Sequence, residues 1–319
     1  MRAALVEQIG SPPVVGESAV PERGAGQALV QVTAAAINPI DVWISLGTHH
    51  SGTPDVPYVM GREGVGRVIE GDELAPGTQI WFRPALGGAF AEYAVADEHQ
   101  SIELPEGTDH ALAAALGIAG LTGWLAVEWR ANLHEGARVL VLGATGIVGL
   151  VAVQAARILG AGRIVAAGRD PGALEKAREA GAHAVVPLVE GSDPSELATR
   201  FTDAAGGPID VTIDPLWGVP ARAAVEAGAF SGRLVQIGQS AGAETMLPSG
   251  AIRGKSFAIV GFTLGHVPQD KQVAAYGRLI ELATSGELSI ERETLPLDWA
   301  GEAWQRQQDS PHRKLVLVP

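Results

Sequence analysis

The sequence predicts an α/β protein that combines a parallel, doubly wound sheet with a second, β-rich domain. Three observations predict this class. A short apolar strand, a glycine turn and an apolar helix follow one another from Arg138 onwards. Strand and helix patterns then alternate over residues 138–263, which favours parallel strands joined by crossover helices. Residues 1–117 instead contain short apolar runs separated by Gly, Pro and Asp, as in strands joined by turns.

The β-rich part begins the chain and is predicted to recruit the other end as well. From about residue 111, Ala and Leu dominate and predict helices that lead into the second domain. A helix near Gln269–Thr284 and a final strand at Leu315–Val318 are predicted to rejoin the first domain. The predicted domains are residues 1–117 with 266–319, and residues 118–265. The apolar runs of the first part are Ala28–Val32, Gly66–Ile69, Gln79–Trp81 and Tyr93–Val95.

The middle of the chain contains six strand patterns with helices between them. Such an alternation predicts a sheet that binds ligands at the carboxyl ends of its strands. The predicted strands are Val139–Leu142, Arg163–Ala167, Ala184–Pro187, Ile209–Ile213, Arg233–Ile237 and Phe257–Val260. The predicted helices are Ile147–Leu159, Ala173–Ala180, Pro194–Ala204 and Val219–Ala227.

The glycine turn after the first of these strands is a candidate dinucleotide site. Gly143 and Gly146 let the backbone approach a pyrophosphate, and Gly149 lets the helix pack closely on the strand. The helix start offers unpaired N–H groups to phosphate oxygens. The predicted cofactor-binding residues of the turn are Ala144, Thr145, Gly146, Ile147 and Val148. The alternative is that the glycine turn is purely structural and binds no dinucleotide.

The end of the second strand indicates which nicotinamide cofactor binds. A carboxylate there binds the ribose hydroxyls of NADH, whereas an arginine accommodates the 2′-phosphate of NADPH. Here the strand ends with Gly168 and Arg169, which predicts NADPH over NADH. Asp170 follows, and it could either bind ribose or cap the helix after Pro171. The alternative for Arg169 is a solvated surface residue.

Composition excludes several partners. The net charge of −13 and the acidic pI of about 5.0 disfavour binding to nucleic acid or to an anionic membrane surface. The absence of cysteine excludes disulfides and thiolate–zinc sites. No apolar run reaches membrane-spanning length, and the first residues do not resemble a signal peptide. We therefore expect a cytoplasmic protein.

Several motifs together resemble the medium-chain dehydrogenase/reductase superfamily, specifically its zinc-independent quinone-oxidoreductase branch. The resemblance implies a GroES-like β domain formed by both chain ends and a Rossmann dinucleotide-binding domain between them. The motifs, in chain order, are Ala36-Ile-Asn-Pro-Ile-Asp41, Gly61-Arg-Glu-Gly-Val-Gly66, Gly87-Gly-Ala-Phe-Ala-Glu-Tyr93, Gly120-Leu-Thr-Gly-Trp124, the glycine turn, Gly181-Ala182 and Lys314-Leu-Val-Leu317.

The same resemblance predicts that no zinc binds. Zinc-dependent relatives have a cysteine just before the position of Asp41 and a histidine in the segment matching Gly61-Arg-Glu63, where this chain has Ile37-Asn38-Pro39 and Arg62. A catalytic zinc needs about three protein ligands. Without this Lewis acid, oxidation of a plain alcohol is disfavoured. The chemistry that remains is delivery of a hydride to an acceptor activated by conjugation, a quinone or an α,β-unsaturated carbonyl.

The resemblance also implies roles for individual residues. Asn38 and Asp41 match residues beside the nicotinamide and the substrate pocket. Thr122 matches a residue that contacts the cofactor near the nicotinamide, although it could instead be a helix-side hydroxyl. Trp43, also a candidate catalytic residue, stands where some relatives have a tyrosine that could donate to a carbonyl oxygen, and offers instead an indole N–H and a large flat surface. Asp41 is interpreted as an anchor of its own loop. In relatives, backbone groups at two strand ends hold the nicotinamide carboxamide. The matching residues are Ile237, Gly238, Gln239, Phe262 and Thr263.

No residue is identified as the proton donor. His49 and His50 could protonate an enolate, but loop histidines are more often merely exposed. Tyr58 is interpreted as a packing residue, and water could supply the proton. Leu188 stands where some NADPH-binding relatives have a tyrosine, and Phe262 where they have an arginine. The departure at Leu188 weakens the case for a bound 2′-phosphate, and both departures suggest a more apolar site.

The sequence therefore predicts an NADPH-dependent, zinc-free oxidoreductase that reduces a quinone or an activated alkene. One alternative is an enoyl-thioester reductase, which would need a basic surface for a carrier's phosphate groups. Another is a non-enzymatic NADPH-binding protein that senses redox state. A hydrolase is disfavoured because no Gly-x-Ser-x-Gly pattern occurs. Relatives commonly dimerise through the strand matching Ser256–Phe262, so the resemblance implies a homodimer. The alternative is that this apolar strand is covered within one chain.

Overall fold

A computed structural model describes residues 1–49, 52 and 54–319 of the chain. The chain divides into two compact units. The first unit contains Met1–Ile118, Gln269–Ser285 and Ile290–Pro319, and the second contains Ala119–Pro268 and Gly286–Ser289. The α/β class predicted from the sequence is confirmed, with a mostly antiparallel β unit and a parallel-sheet unit.

The first part of the chain is made of short strands and two short helices. In order these are β1 (Arg2–Val6), β2 (Val14–Glu17), β3 (Gln27–Ala36), α1 (Pro39–Ser45), β4 (Tyr58–Val59), β5 (Gly64–Glu70), β6 (Gln79–Phe82), β7 (Pro84–Leu86), β8 (Tyr93–Asp97), β9 (Ile102–Glu103) and α2 (His110–Leu116).

Strands and helices then alternate through the second unit. They are α3 (Ile118–Leu125), which continues as a π-helical turn (Ala126–Arg130), β10 (Arg138–Leu142), α4 (Ile147–Ile158), β11 (Arg163–Gly168), α5 (Pro171–Glu179), β12 (Ala184–Pro187), α6 (Pro194–Ala205), β13 (Ile209–Asp214), α7 (Gly218–Ala227), β14 (Gly228–Gln236), α8 (Ser249–Gly254) and β15 (Ala258–Gly261). The chain ends with α9 (Gln269–Ser285), β16 (Arg292–Pro296), α10 (Ala300–Gln308) and β17 (Lys314–Val318).

The second unit is built on a six-stranded parallel sheet with the order β12-β11-β10-β13-β14-β15. The order reverses between β10 and β13, so both of these central strands end at a topological switch point. Leu140 and Leu142 of β10 are fully buried, as is Leu234 of β14. Helices cover both faces of a doubly wound sheet, which explains the continuous apolar runs seen in the sequence.

The first unit pairs the C-terminal strand with a strand from the first part of the chain, while β1 forms a separate three-stranded sheet with β2 and β4. Strand β17 pairs antiparallel with β3 through Val316 and Ala36, and the sheet continues through β5 and β6 to β9. Phe82, Phe90 and Met60 are among the fully buried side chains of its core. This pairing places Lys314, the first residue of β17, next to the segment that follows β3.

The structure differs from the sequence-based boundaries mainly in two strands. Strand β3 continues to Ala36, and β14 begins at Gly228 rather than at Arg233. Among the described residues, no single helix is long and apolar enough to cross a membrane. Within the same residues, one pair of consecutive helices joined by a bend, His110–Leu116 with Ile118–Arg130, reaches the required length and apolar composition when the two are taken together.

Candidate active site

The glycine turn after β10 forms a cradle, and each of its glycines has a different environment. Gly143 adopts φ +61°, and a Cβ at residue 149 would lie 2.4 Å from the Gly143 carbonyl oxygen and 2.6 Å from the Ala144 Cα. Gly149 is therefore required because α4 packs directly on the turn. At Gly146 the nearest atom to an added Cβ is 3.6 Å away. The surface above Gly146 is thus open to a ligand.

The first turn of α4 completes this cradle. Gly146 is its N-cap residue and provides no side-chain cap, so the N–H groups that follow at Ile147 and Val148 have no side-chain acceptor from that residue. The N-terminus of this 12-residue helix therefore offers donors and a positive dipole end. Ala144 is fixed by its amide, which donates to the Ala167 carbonyl at 2.9 Å. The arrangement fits a pyrophosphate.

The end of β11 lies against the same turn. A Cβ at Gly168 would come within 2.5 Å of Thr145 Cγ2, so the close approach of Thr145 requires glycine there. Arg169 is exposed and makes no hydrogen bond or ion pair with any described residue. Asp170 accepts a 2.7 Å hydrogen bond from the Ala173 amide through Oδ1 and caps α5. Of the two roles considered for Asp170, the structure therefore shows the cap.

At the ends of β14 and β15, some backbone amides already donate within the chain and others have no acceptor among the described residues. The amides of Ile237 and Gly238 donate to the Asp214 carbonyl, at 2.8 and 3.4 Å, and the Phe262 amide donates to the Gln236 carbonyl at 2.8 Å. Among the predicted carboxamide-binding residues, only the amides of Gln239 and Thr263 donate no hydrogen bond to a described residue.

A cavity of about 520 Å³ opens at these strand ends within the second unit. Phe262 forms one wall, and its ring meets that of Trp129 edge-on at 6.3 Å. Arg130 Nε donates to the Gly261 carbonyl at 2.9 Å, which orients the guanidinium. The lining residues are Trp129, Arg130, Gln236, Gly261, Phe262, Thr263 and His266. Sequence analysis missed Trp129 and Arg130, because nothing local links this helical end to a strand far along the chain.

Asp214 is a second residue that the sequence analysis did not identify. It ends β13 at the switch point, where its Oδ1 accepts from the amides of Leu216 and Trp217, each at 2.9 Å. Its Oδ2 is buried without a partner among the described residues, and burial raises the pKa of Asp214 to about 6. Trp217 has φ +57°, which is unusual for a bulky residue. The sequence signal that could have identified Asp214 is a carboxylate at the end of a predicted strand.

Thr122 lies on α3 and is 8 % exposed. Its side chain makes no hydrogen bond with any described residue, which leaves its hydroxyl available. The same helix packs tightly on α4, because a Cβ at Gly123 would come within 2.6 Å of the Val148 carbonyl oxygen. Thr122 is thereby fixed beside the helix that begins at the cradle.

In the first unit, Asn38 belongs to a buried polar network. Its Nδ2 donates to Glu63 Oε1 at 2.7 Å and to the Ala36 carbonyl at 3.2 Å, and its Oδ1 accepts from Lys314 Nζ at 2.5 Å. Asn38 is only 2 % exposed. Both Nδ2 hydrogens are thereby engaged, so donating a hydrogen bond to substrate would require the amide to give up one of these bonds. Together with its burial, this favours a positioning role for Asn38.

Glu63 and Lys314 are the charged members of this network, and sequence analysis missed both. Lys314 Nζ lies 3.7 Å from Glu63 Oε1. Glu63 Oε2 accepts from Trp81 Nε1 at 2.8 Å and from the Ile118 amide at 2.6 Å. Burial lowers the pKa of Lys314, and the charge of Glu63 opposes this shift. The available signals were a glutamate in the glycine-rich motif Gly61–Gly66 and a lysine at the start of the apolar motif Lys314–Leu317.

Asp41 ties α1 to the segment that contains Arg62. Its Oδ2 accepts from the Asn38 amide and its Oδ1 from the Arg62 amide, each at 2.8 Å. This agrees with its interpretation as a loop anchor. Burial is the largest influence and raises the pKa of Asp41 to about 7. Tyr58, whose hydroxyl is buried without a partner among the described residues, has its pKa raised to about 12 by burial and by Asp41.

The remaining candidates in this unit are less constrained. Trp43 is half-buried on α1, and His49 is half-buried in the loop that follows, while His50 lies outside the described residues.

Within the part of the chain that the structure describes, no group of three or more His, Asp or Glu residues could hold a metal ion. The fold and the phosphate cradle define a protein of the dinucleotide-binding α/β class.

Comparison with known proteins identifies the family. The profile of the alcohol dehydrogenase GroES-like domain matches residues 24–106, and that of the zinc-binding dehydrogenase domain matches residues 148–282. Human quinone oxidoreductase is 33 % identical over 272 residues, covering 83 % of this chain and 80 % of the human protein. The chain belongs to the quinone oxidoreductase branch of the medium-chain dehydrogenase/reductase family and is an oxidoreductase.

Solved structures have the same fold over their whole length. Quinone oxidoreductase from Thermus thermophilus, solved alone and with NADPH, superposes with a TM-score of 0.82 at 26 % identity and full coverage of both chains. Escherichia coli quinone oxidoreductase complexed with NADPH gives a TM-score of 0.88 at 22 % identity, covering 100 % of both chains. The predicted combination of a GroES-like domain with a Rossmann domain is thus confirmed.

Proposed function

We propose that this protein is an NADPH-dependent, zinc-free oxidoreductase that transfers a hydride to a quinone or an α,β-unsaturated carbonyl. The observation that carries the proposal is the open cradle at Gly146, next to an exposed Arg169 that has no partner among the described residues. Such an arginine is the group that a 2′-phosphate would pair with. The NADPH complexes of the Thermus and Escherichia coli proteins support the same cofactor.

The cofactor would be held by the residues at the carboxyl ends of the parallel strands. Backbone groups from Ala144 to Val148 would bind its pyrophosphate, Gly168 and Arg169 its adenosine phosphate, and the free amides of Gln239 and Thr263 its carboxamide. NADPH supplies the hydride, so the protein has to bind, orient and shield the reactants. Ile237, Gly238 and Phe262 would shape this site while their amides maintain the sheet.

On the substrate side we assign separate roles to three residues. Trp43 would provide a flat apolar surface for a conjugated ring. Thr122 would donate its free hydroxyl to cofactor or substrate. Asn38 would act as a positioning residue, because its hydrogen bonds to Glu63 and Lys314 fix the start of α1. No metal ligand enters this scheme, and a conjugated acceptor does not need one.

The test is NADPH consumption by the purified protein with a panel of quinones and enones. Turnover that persists after removal of divalent metals is expected, with elemental analysis showing no stoichiometric zinc. Calorimetry that detects no binding of NADPH or NADH would contradict the proposal. Cofactor binding without any turnover would instead identify a non-enzymatic NADPH-binding protein.

We also propose that the protein is a cytoplasmic homodimer. Strand β15 lies at the edge of the six-stranded sheet, and its residues are only partly buried. An open apolar edge of this kind is suited to pairing with a second copy. Light scattering during size-exclusion chromatography should give about twice the chain mass of 33.0 kDa. A monomeric mass over the micromolar range would contradict the assignment.

A further inference from the structure

Arg62 and Arg83 lie together in the first unit. Gly64 of β5 pairs with Phe82 of β6, so the two arginines lie at the same end of this strand pair. Burial, and after it the positive charge of Arg62, lowers the pKa of Arg83. Arg62 is therefore close enough for its charge to act on Arg83.

Neither arginine has a carboxylate partner among the described residues. Arg83 donates only from Nη2 to Gln100 Oε1, at 3.3 Å, and its Nε is buried without an acceptor. The exposed Arg62 side chain makes no hydrogen bond with any described residue. By contrast, Arg23 pairs with Glu70 and Asp72, at 2.9 and 2.8 Å. In a chain with 36 acidic and 23 basic residues, two adjacent unpaired arginines need an explanation.

The nearby carboxylates are already engaged. The charges of Glu63 and Asp97 act on Arg83 and oppose the lowering of its pKa. Glu63, however, is hydrogen-bonded to Asn38 and Trp81 and paired with Lys314. Asp97 Oδ1 accepts from the amides of His99 and Gln100 at 3.0 and 3.2 Å. Apart from the buried Nε of Arg83 and its bond to Gln100, the donors of the two arginines have no partner among the described residues and can bind an anion from outside the chain.

The backbone at Arg62 is held rigidly in place. Its amide donates to Asp41 Oδ1 at 2.8 Å, and the preceding Gly61 carbonyl accepts from the Ala89 amide at 3.0 Å. Gly61 has φ +109°, and a Cβ there would lie 2.4 Å from the Phe90 ring. Asp41 also joins this segment to α1, which contains Trp43. A fixed backbone lowers the entropic cost of binding a ligand at Arg62.

We propose that Arg62 and Arg83 form an anion-binding subsite for a carboxylate or phosphate group of the substrate. The proposal rests on the function given above and narrows its substrate class to quinones or enones that contain an acidic group. A planar guanidinium binds two oxygens of such a group at once. The neighbouring Trp43 would contact the conjugated part of the same molecule.

The first experiment measures anion binding without any reaction. The Nε–Hε resonances of the arginines are followed by NMR while inorganic phosphate or acetate is added to the full chain at constant ionic strength. We expect Arg62 and Arg83 to shift together and to saturate with one dissociation constant. Arg62→Gln should weaken binding about tenfold, the effect of losing one charged hydrogen bond. The control Arg67→Gln removes an exposed arginine of β5 and should change nothing.

The absence of any shift at Arg62 and Arg83, or an equal shift at Arg67, would overturn the subsite. A second experiment compares a naphthoquinone that has a carboxylate or phosphate substituent with its neutral ester. The acidic forms should have the lower KM, and Arg62→Gln should remove that advantage while the ester is unaffected. Equal KM values for the acidic quinone and its ester would contradict the anion-binding subsite but not the proposed function. If neither form is turned over, the proposed function fails, and the NMR titration still decides the subsite.

Discussion

Gly149 and Gly143 approach each other so closely that a Cβ at residue 149 would lie 2.4 Å from the Gly143 carbonyl oxygen. The contact is between backbone atoms, so no side-chain rotation can relieve it. The first turn of α4 thereby lies directly on the strand end, with its N–H groups at the open surface of Gly146. Helix packing and the proposed phosphate binding thus depend on two different glycines of one motif.

The first prediction separates these two roles. Gly149→Ala should lower the free energy of unfolding by about 1–3 kcal/mol, the usual effect of overpacking, and should also weaken NADPH binding. Gly146→Ala should leave the melting temperature nearly unchanged, because its Cβ has room, but should weaken NADPH binding by obstructing the phosphate. Thermal unfolding and calorimetry on both variants provide the measurements. Equal destabilisation by the two substitutions would contradict this division.

Arg169→Ala tests the choice of cofactor. The variant should have a KM for NADPH raised about tenfold, because one charged hydrogen bond is lost, whereas the KM for NADH should change little. Arg178→Ala is the control, since Arg178 is an exposed arginine of α5 that pairs with Glu175. The measurement is steady-state kinetics with both cofactors. If both KM values rise equally in Arg169→Ala, Arg169 does not select NADPH.

Lys314→Met tests the buried network of the first unit. The substitution leaves Glu63 buried without its counter-charge and should lower the free energy of unfolding by about 3–5 kcal/mol. The double variant Glu63→Gln with Lys314→Met should lose less free energy of unfolding than Lys314→Met, because no uncompensated charge remains. Denaturant unfolding measures both, with Arg313→Met at the exposed neighbouring residue as control. A double variant less stable than Lys314→Met would contradict the ion-pair interpretation.

Asp41 should make stability depend on pH. Burial raises its pKa from 3.8 to about 7, so the folded protein retains a proton that the unfolded chain releases over this range. The free energy of unfolding should therefore fall as the pH rises from about 4 to about 7, and Asp214, with its pKa raised to about 6, acts in the same direction.

Asp41→Asn should flatten this slope. The variant has no carboxyl group at residue 41 to titrate, so only the share due to Asp214 and other groups should remain. Denaturant unfolding at several pH values measures the slope, and Asp170→Asn, at the exposed cap of α5, is the control. A slope that is the same in Asp41→Asn and in the unchanged protein would mean that Asp41 is already ionised at low pH.

Much of the second unit could be predicted because its signals are local. Ala184–Pro187 matches β12 at both ends, and the predicted helix at Ile147–Leu159 differs from α4 by one residue. The strand at Arg233–Ile237 was placed less well, since β14 begins at Gly228. The segment Gly228–Gly232 has one large apolar residue, Phe230, among small ones, so its pairing with β13 depends on tertiary contacts.

The sequence by itself determined the parallel-sheet class, the glycine cradle and the absence of a cysteine ligand, because each depends on neighbouring residues or on composition. Only the tertiary structure placed Lys314 and Glu63 against Asn38 and left Arg62 beside Arg83 without a carboxylate. These relationships join residues up to 276 positions apart. They follow from how β17 pairs with β3 and β5 with β6, and no local pattern encodes which distant charges meet.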